Sequence, residues 1–498
     1  MTDWNSSDIV IGVVGAGAMG SGIAQIAAAS GRTVLVFDQF EGAAGAARDK
    51  TIKRMEKRVA DGKASQDAVD MIARNLHPVD SLDAFAPCAI VIEAIIEDLD
   101  AKKSLFDQLA RIVTPSCVLA SNTSSIPIGA IGADIKNPER VAGLHFFNPV
   151  PVMKLVEVIR TPDTADHVVD GLLHLAREMG RTPVEVRDTP GFLVNFGGRA
   201  YTTEALAIVQ EGVANPAQVD AVMRDCCGYR MGPFELMDLT GMDVNYPVTT
   251  FIHQSLFADP RLRSTPLHRY MLDVGQLGRK TGRGFFDYRD SADRPSANAS
   301  SAAEPARVVW LPEPNGPLAA LLGEMDIAIL NTDDGDAPIL FAPMGEDCAS
   351  LCARTGVDHR RVVALDLSVD VSRRITVMTP PSGSKAVLDS IVALFGESRA
   401  VTVIGDSPGF VAQRISAMVA NLGCEMAQIG LARPDDIDTA MRLGLNYPKG
   451  PLELTDLMGA DRVFEIMVQM QRQTGDDRYR PSQWLRRRAQ LGLSAMAS

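Results

Sequence analysis

Two residues close together in this sequence could do acid–base chemistry as a pair. His145 follows the short apolar run Val141–Leu144, and Glu157 sits inside a second one, Lys154-Leu-Val-Glu157-Val-Ile159. An ionised carboxylate inside an apolar strand is costly to desolvate unless a donor pairs with it. The imidazole of His145 is such a donor. The bond would fix its tautomer and stabilise the ring as it takes up a proton, as a general base requires. The competing reading is an acid on the exposed face of an edge strand, beside a histidine that is only structural. A second group lies near the start: Gly15-x-Gly17-x-x-Gly20, with Ala18 and Met19 between, followed by Asp38. Glycines so spaced suit a pyrophosphate: Gly15 makes a tight turn, Gly17 lets the backbone approach the phosphates, and Gly20 lets a helix pack on its strand. An acid about 20 residues on holds a ribose 2′-hydroxyl and repels a 2′-phosphate, which favours NAD over NADP.

Strands must carry these groups. Ile9–Val14 has the length of a buried parallel strand and runs through the glycines into the small, helix-forming Ser21–Ala29. The free N–H groups and positive end of that helix would hold phosphates. The glycines alone could mark only a close helix–strand contact. A second strand, Arg32–Phe37, ending at Asp38, turns them into a dinucleotide unit. After a helical excursion from Glu41 to about Asn75 come strands at Ala89–Ala94, Cys117–Ala120, Val141–Leu144 and a final one at Lys154–Ile159. Their carboxyl ends carry Glu97, the hydroxyl-rich Ser121-Asn122-Thr123-Ser124-Ser125, and His145, where parallel sheets bind ligands. Lys50, Lys53, Arg54, Lys57 and Arg58 share a helix face, which is either solvated or a clamp for a phosphorylated ligand.

The whole chain narrows the classes. Its 498 residues allow about three domains. A net charge of −13 argues against nonspecific nucleic-acid binding, which needs clustered cations. No apolar run approaches the ~20 residues of a membrane span. The polar, acidic start is unlike a signal or transit peptide, and seven cysteines lack disulfide or zinc spacing. A cytoplasmic protein with no metal and no membrane partner is expected.

From Asp188 the pattern turns helical, to about residue 289, and residues 290–306 read as a flexible linker. An internal repeat follows. Asp188-Thr-Pro-Gly-Phe192 recurs as Asp406-Ser-Pro-Gly-Phe410, and Gly232-Pro-Phe-Glu-Leu-Met-Asp238 as Gly450-Pro-Leu-Glu-Leu-Thr-Asp456, at one constant offset. The expected α/β architecture is therefore an N-terminal Rossmann-type doubly wound sheet (1–187), an all-helical domain (188–289), the linker, a reduced α/β unit (307–405) and a second helical copy (406–498). That second half looks catalytically empty: Val362-Val-Ala-Leu-Asp366 puts aspartate where His145 stands, and Gln413 replaces Asn195. Its expected role is packing, so that either a homodimer or a monomer with an internal pseudo-dimer of helical domains fits the sequence.

The glycine loop, Asp38, Ser121–Ser125, His145-Phe-Phe-Asn148-Pro-Val150, Lys154–Val158 and Asp188-Thr-Pro-Gly-Phe-Leu-Val-Asn195 together resemble the 3-hydroxyacyl-CoA dehydrogenases. The duplicated helical domain resembles the longer members, those assigned to 3-hydroxyadipyl-CoA or 3-hydroxybutyryl-CoA oxidation in fatty-acid and phenylacetate breakdown. The resemblance implies reversible oxidation of (S)-3-hydroxyacyl-CoA to 3-oxoacyl-CoA by hydride transfer from C3 to NAD. It implies that His145 is the base and Glu157 its orienting partner. Ser124 would bond the substrate oxygen, and Asn148 and Asn195 would position the reacting group. Glu97, Lys102 and Asn122 would line the cofactor site, and Lys53 and Arg54 would face the coenzyme A phosphates. A non-catalytic NAD-binding protein on the same fold is the alternative.

Overall fold

The computed structural model describes residues 4, 6, 8–289 and 295–497. They form two compact units: Met1–Phe196 with Ile429–Leu445, and Gly197–Gln428 with Asn446–Ser498.

The first unit is built on an eight-stranded sheet. Its strands are β1 (Val10–Val14), β2 (Thr33–Phe37), β3 (Leu76–Pro78), β4 (Ile90–Glu93), β5 (Val118–Ser121), β6 (Val141–Phe146), β7 (Leu155–Arg160) and β8 (Thr182–Arg187). Their order is β3-β2-β1-β4-β5-β6-β7-β8, all parallel except the antiparallel pair β6 and β7. Among the helices are α1 (Ala18–Ala29), α2 (Ala43–Ala60), α3 (Gln66–Asn75) and α4 (Leu99–Ile112). The central strands are apolar almost throughout because helices cover both faces of a doubly wound sheet. Ile11, Val13, Ile23, Ile90 and Ile92 sit in one core cluster.

Two expectations change here. The excursion after Asp38 is two helices, α2 and α3, broken at Asp61-Gly62, where Gly62 takes a φ of 69°. The strand over Lys154–Ile159 is not the last one either. β8 pairs with β7 in parallel, so β7 is interior and Glu157 cannot lie on an edge. Pro183, Glu185 and Arg187 hide β8 from an apolar-run reading, although it buries Pro183, Val184 and Val186.

The second unit holds a six-stranded sheet in the order β10-β9-β11-β12-β13-β14. The strands are β9 (Val308–Trp310), β10 (Ala328–Leu330), β11 (Ile339–Phe341), β12 (Val362–Leu365), β13 (Arg374–Met378) and β14 (Ala400–Ile404). As in the first sheet, one crossing is antiparallel, β12 with β13, and the next strand returns to parallel. Long helices of both repeat copies, Arg199–Gln210 and Val411–Gln428, belong to this unit.

The repeat extends to individual hydrogen bonds. Asp188 accepts the N–H groups of Ile128 and Gly129 at 3.0 and 2.8 Å, and Asp406 those of Cys348 and Ala349 at 2.7 and 3.0 Å. Each aspartate thus caps a helix on its own sheet. Asp238 accepts the N–H groups of Phe285 and Phe286, and Asp456 that of Ala495, so each copy fastens its closing segment with the same residue.

Edges of both sheets are covered by distant chain. The N–H of Arg187, at the end of β8, donates to Leu431 O at 2.8 Å, which ties residues 429–445 to the first unit. The compact units accordingly cut across the segments expected from the sequence, with 188–196 also in the first unit. Residues 290–294 of the expected linker lie outside the described residues. The remainder is not a free tether: Ala299 bridges Val401 of edge strand β14, and Thr402 Oγ1 donates to Ala297 O at 3.1 Å. An unpaired strand edge offers donors and acceptors that such a segment satisfies. Among the described residues, no helix is long and apolar enough to cross a membrane, and no cluster of His, Cys, Asp and Glu could hold a metal ion.

Candidate active site

The sheet order reverses between β1 and β4, and the glycine loop sits at that switch. Gly15 has a φ of 103°, and a Cβ there would lie 2.5 Å from Ala94 O. A Cβ on Gly20 would lie 1.8 Å from Gly15 O, so the start of α1 packs on the loop only because residue 20 is glycine. Gly17 is different: a Cβ there would meet nothing within 4 Å. Its surroundings are open space at the uncapped N-terminus of α1, the approach that a pyrophosphate needs. Ala18 and Met19 form the first turn of that helix. Asp38 faces the loop and accepts the Ala16 N–H at 2.7 Å and the Phe40 N–H at 3.0 Å. A carboxylate with one bond on each oxygen keeps lone pairs for a ribose hydroxyl. Beside it opens a cavity of about 640 Å³ lined by Gly15, Gly17, Asp38, Phe40, Ile96 and Leu105, among others. Phe40 and Ile96 are 69% and 65% exposed, apolar side chains held out at the rim. These features fit NAD: a glycine cradle, an acid for the ribose, and an apolar slot for an aromatic base.

The antiparallel crossing of β6 and β7 sets His145 directly opposite Glu157. Both are buried, and His145 Nδ1 lies 2.6 Å from Glu157 Oε2. A carboxylate can only accept, so Nδ1 carries the proton and Nε2 presents a lone pair. Among the described residues the ring's hydrogen bond is made through Nδ1, and Nε2 is left out of it. Glu157 is fixed from its other side, where Oε1 accepts the N–H groups of Leu193 and Val194 at 3.0 and 2.9 Å. The imidazole is also flanked by the Phe147 and Phe192 rings, at 4.4 and 5.8 Å between centroids.

Other expected residues gather around the ends of β4 and β5. Asn122 Oδ1 accepts the Phe146 N–H at 2.8 Å, next to His145. Glu97 Oε1 accepts from Thr123 Oγ1 at 2.7 Å, Ser125 Oγ at 2.9 Å, the Ser124 N–H at 3.1 Å and, more loosely, Ser124 Oγ at 3.4 Å. Partial burial would raise the Glu97 carboxyl. Hydrogen bonds from Thr123, Ser125 and Ser124, with the charge of Lys102, hold it below the ordinary value instead. Asn195 Nδ2 reaches Ser124 O at 3.4 Å, so these two candidates do come together. Asn148 is exposed and precedes a cis proline, Pro149.

One expected residue, Lys102, sits otherwise. It does not open to the cavity. Its side chain is 1% exposed, and Nζ lies 2.6 Å from Glu93 and 3.3 Å from Glu97, because an ammonium this deep needs carboxylates. Arg54 donates to Gln25 of α1 and, like Lys53, is exposed on the basic face of α2.

A 3-hydroxyacyl-CoA dehydrogenase NAD binding domain matches residues 10–189, and the C-terminal domain of the same enzymes matches residues 191–288 and again 409–498. The chain belongs to the 3-hydroxyacyl-CoA dehydrogenase family. It is 38% identical over 484 residues, 97% of each chain, to the 3-hydroxyadipyl-CoA dehydrogenase of Escherichia coli strain K12. A probable 3-hydroxybutyryl-CoA dehydrogenase of Deinococcus radiodurans is 42% identical over 56% of this chain and 99% of its own. The crystal structure of 3-hydroxybutyryl-CoA dehydrogenase from E. coli K12 superposes with a TM-score of 0.87 at 37% identity, covering 97% of this chain and 98% of that one. In this family member residues 10–189 of the first unit are the NAD-binding domain, and the C-terminal domain is present twice.

Sequence reasoning passed over Glu93. It closes β4 with its carboxylate buried among Lys102, Ser121 and the Ile95 N–H. The signal was available: an acid ending an apolar strand, the same argument that singled out Glu157.

Proposed function

We propose that this protein catalyses the reversible oxidation of (S)-3-hydroxyacyl-CoA to 3-oxoacyl-CoA with NAD, using His145 as general base and Glu157 as the group that orients it. The observation carrying this reading is the Nδ1 contact to a doubly anchored Glu157, which leaves Nε2 as the ring's proton acceptor. NAD supplies the hydride acceptor when bound. The loop at Gly15, Gly17 and Gly20 would take its pyrophosphate and Asp38 its ribose. As C3 becomes a carbonyl, Nε2 takes the hydroxyl proton, and in reduction the imidazolium returns it. Throughout, Glu157 stabilises the charged ring and holds its plane.

Ser124, with Asn148 and Asn195, would position the reacting oxygen. Lys53, with Lys50 and Lys57 on the exposed face of α2, would meet the coenzyme A phosphates, a local positive field in a chain of net charge −13. The acyl group is short or a 3-hydroxyadipyl chain, the substrates in the names of the relatives that match. A cytoplasmic setting suits its free cysteines.

The test is direct. Purified protein mixed with NAD and 3-hydroxybutyryl-CoA should generate NADH, and relative rates with acetoacetyl-, 3-oxohexanoyl- and 3-oxoadipyl-CoA in the reverse direction should rank the acyl group. Binding of NAD without any turnover would leave the non-catalytic reading in its place.

A further inference from the structure

We infer that Glu93 is a positioning residue for this reaction: through Lys102 it holds Glu97, and with Glu97 the hydroxyl loop that carries Ser124. The inference rests on the site assigned under the proposed function.

Glu93 is 0% exposed. Its Oε1 accepts from Lys102 Nζ at 2.6 Å and from the Ile95 N–H at 2.7 Å, and its Oε2 accepts from Ser121 Oγ at 2.6 Å. One carboxylate is enough to neutralise a buried ammonium, yet Lys102 has two. The second, Glu97, lies 3.3 Å from Nζ through Oε2, with its side chain 40% exposed. Its other oxygen, Oε1, is the one that collects Thr123, Ser124 and Ser125. The order of contacts explains the division of labour. Glu93 pins the ammonium, the ammonium pins one oxygen of Glu97, and the remaining oxygen is free to order the loop.

The same residue reaches the other side of the site through its backbone. Glu93 O accepts the Asn122 N–H at 2.9 Å, and Asn122 Oδ1 accepts the Phe146 N–H beside His145. Register strengthens the arrangement, because Glu93 and Ser121 are direct neighbours across β4 and β5. Without the Glu93 charge, the Lys102 ammonium would turn wholly to Glu97 and draw its carboxylate away from the loop hydroxyls.

Glu93→Gln keeps the shape and removes the charge. In this variant kcat should fall about 10²-fold, the usual consequence of a small misplacement in a site. In the ligand-free protein, hydrogen exchange at the amides of residues 123–126 should speed up about tenfold, a readout that needs neither cofactor nor turnover. The double variant Glu93→Gln/Lys102→Met removes both buried charges, so its Tm should recover towards wild type while kcat stays low, since Glu97 has lost its tether. A double variant that regains kcat together with Tm would mean that Glu93 only balances a buried charge, and the inference would fail. A single variant within about threefold of wild-type kcat, with unchanged loop exchange, overturns it equally. Should the wild-type protein produce no NADH, the proposed function fails, and the exchange measurement still judges Glu93 separately.

Discussion

The two sheets of this protein repeat one crossing and fill it differently. Where β6 meets β7, His145 faces Glu157 and keeps Nε2 open. At the matching crossing, Asp366 follows β12 and its N–H donates to Thr376 O of β13 at 3.0 Å. Gln413, at the repeat position of Asn195, closes over it. Its Nε2 donates to Asp366 Oδ1 at 3.1 Å and to Pro343 O at 3.0 Å, and its Oε1 accepts the Gly345 N–H at 2.9 Å. One crossing presents an acceptor; the other turns its glutamine onto its own aspartate. The carboxyl edges differ in the same sense. α1 begins at Gly17 with no side-chain cap, whereas the helix Gly316–Glu324 after β9 is capped by Asn315, whose Oδ1 accepts the Leu318 N–H at 2.9 Å. A cavity of about 610 Å³ persists at that edge, but Arg354 is engaged there with Glu313 and Glu346. Backbone topology survives duplication, and function resides in a few side chains placed upon it.

The largest effects should come from making the first crossing resemble the second. His145→Ala removes the acceptor and should lower kcat by roughly 10²–10⁴-fold, with NAD affinity measured by titration unchanged. Glu157→Gln should fall in the same range by a different route. The amide nitrogen would donate to Nδ1 and drive the ring proton to Nε2, while the amide oxygen keeps the Leu193 and Val194 bonds. A Glu157→Gln enzyme with wild-type kcat would show that the crossing supplies shape alone.

A smaller effect is expected at the cofactor edge. Asp38→Ala should narrow the preference for NAD over NADP by about tenfold, the worth of one lost charge-assisted bond together with one relieved repulsion. It should also loosen the glycine loop, because the Ala16 N–H loses its acceptor. If the ratio of kcat/KM for the two cofactors does not move, Asp38 braces the loop and reads no ribose.

Much of this contrast was legible in the sequence, for identifiable reasons. His145, Glu157 and the glycine loop announce themselves because each is a polar or conformationally special residue inside an apolar strand pattern. Gln413 was found by register, since the repeat has one constant offset, and Asp366 by the apolar run Val362–Leu365 that precedes it, as Val141–Leu144 precedes His145. What escaped was longer in range or shorter in length. β3 and β9 are three residues each, too brief for periodicity, and β8 mixes a proline with charges. That Lys102 is buried, and that Arg54 donates to Gln25, depends on partners brought in by packing. The Leu193 and Val194 N–H groups on Glu157 come from a segment 36 and 37 residues away that no strand pattern connects to it.

The mildest prediction concerns the closed crossing itself. Asp366 is buried, and burial raises its carboxyl above the ordinary value of 3.8, despite hydrogen bonds from Ser368 and Gln413. Among the described residues its Oδ2 has no hydrogen-bond partner. The folded protein therefore holds this proton more tightly than the unfolded chain, and stability declines as pH rises from 3.8 towards the folded pKa. Above that range the whole penalty is present. Asp366→Asn keeps the acceptor for Ser368 and Gln413 and removes the charge, so Tm should rise at neutral pH. The gain should shrink as pH falls through 3.8, where the wild-type carboxyl is protonated in both states. Turnover should not change. A Tm that drops at neutral pH, or a kcat that falls, would show that this carboxylate has work of its own and that the second crossing is not closed.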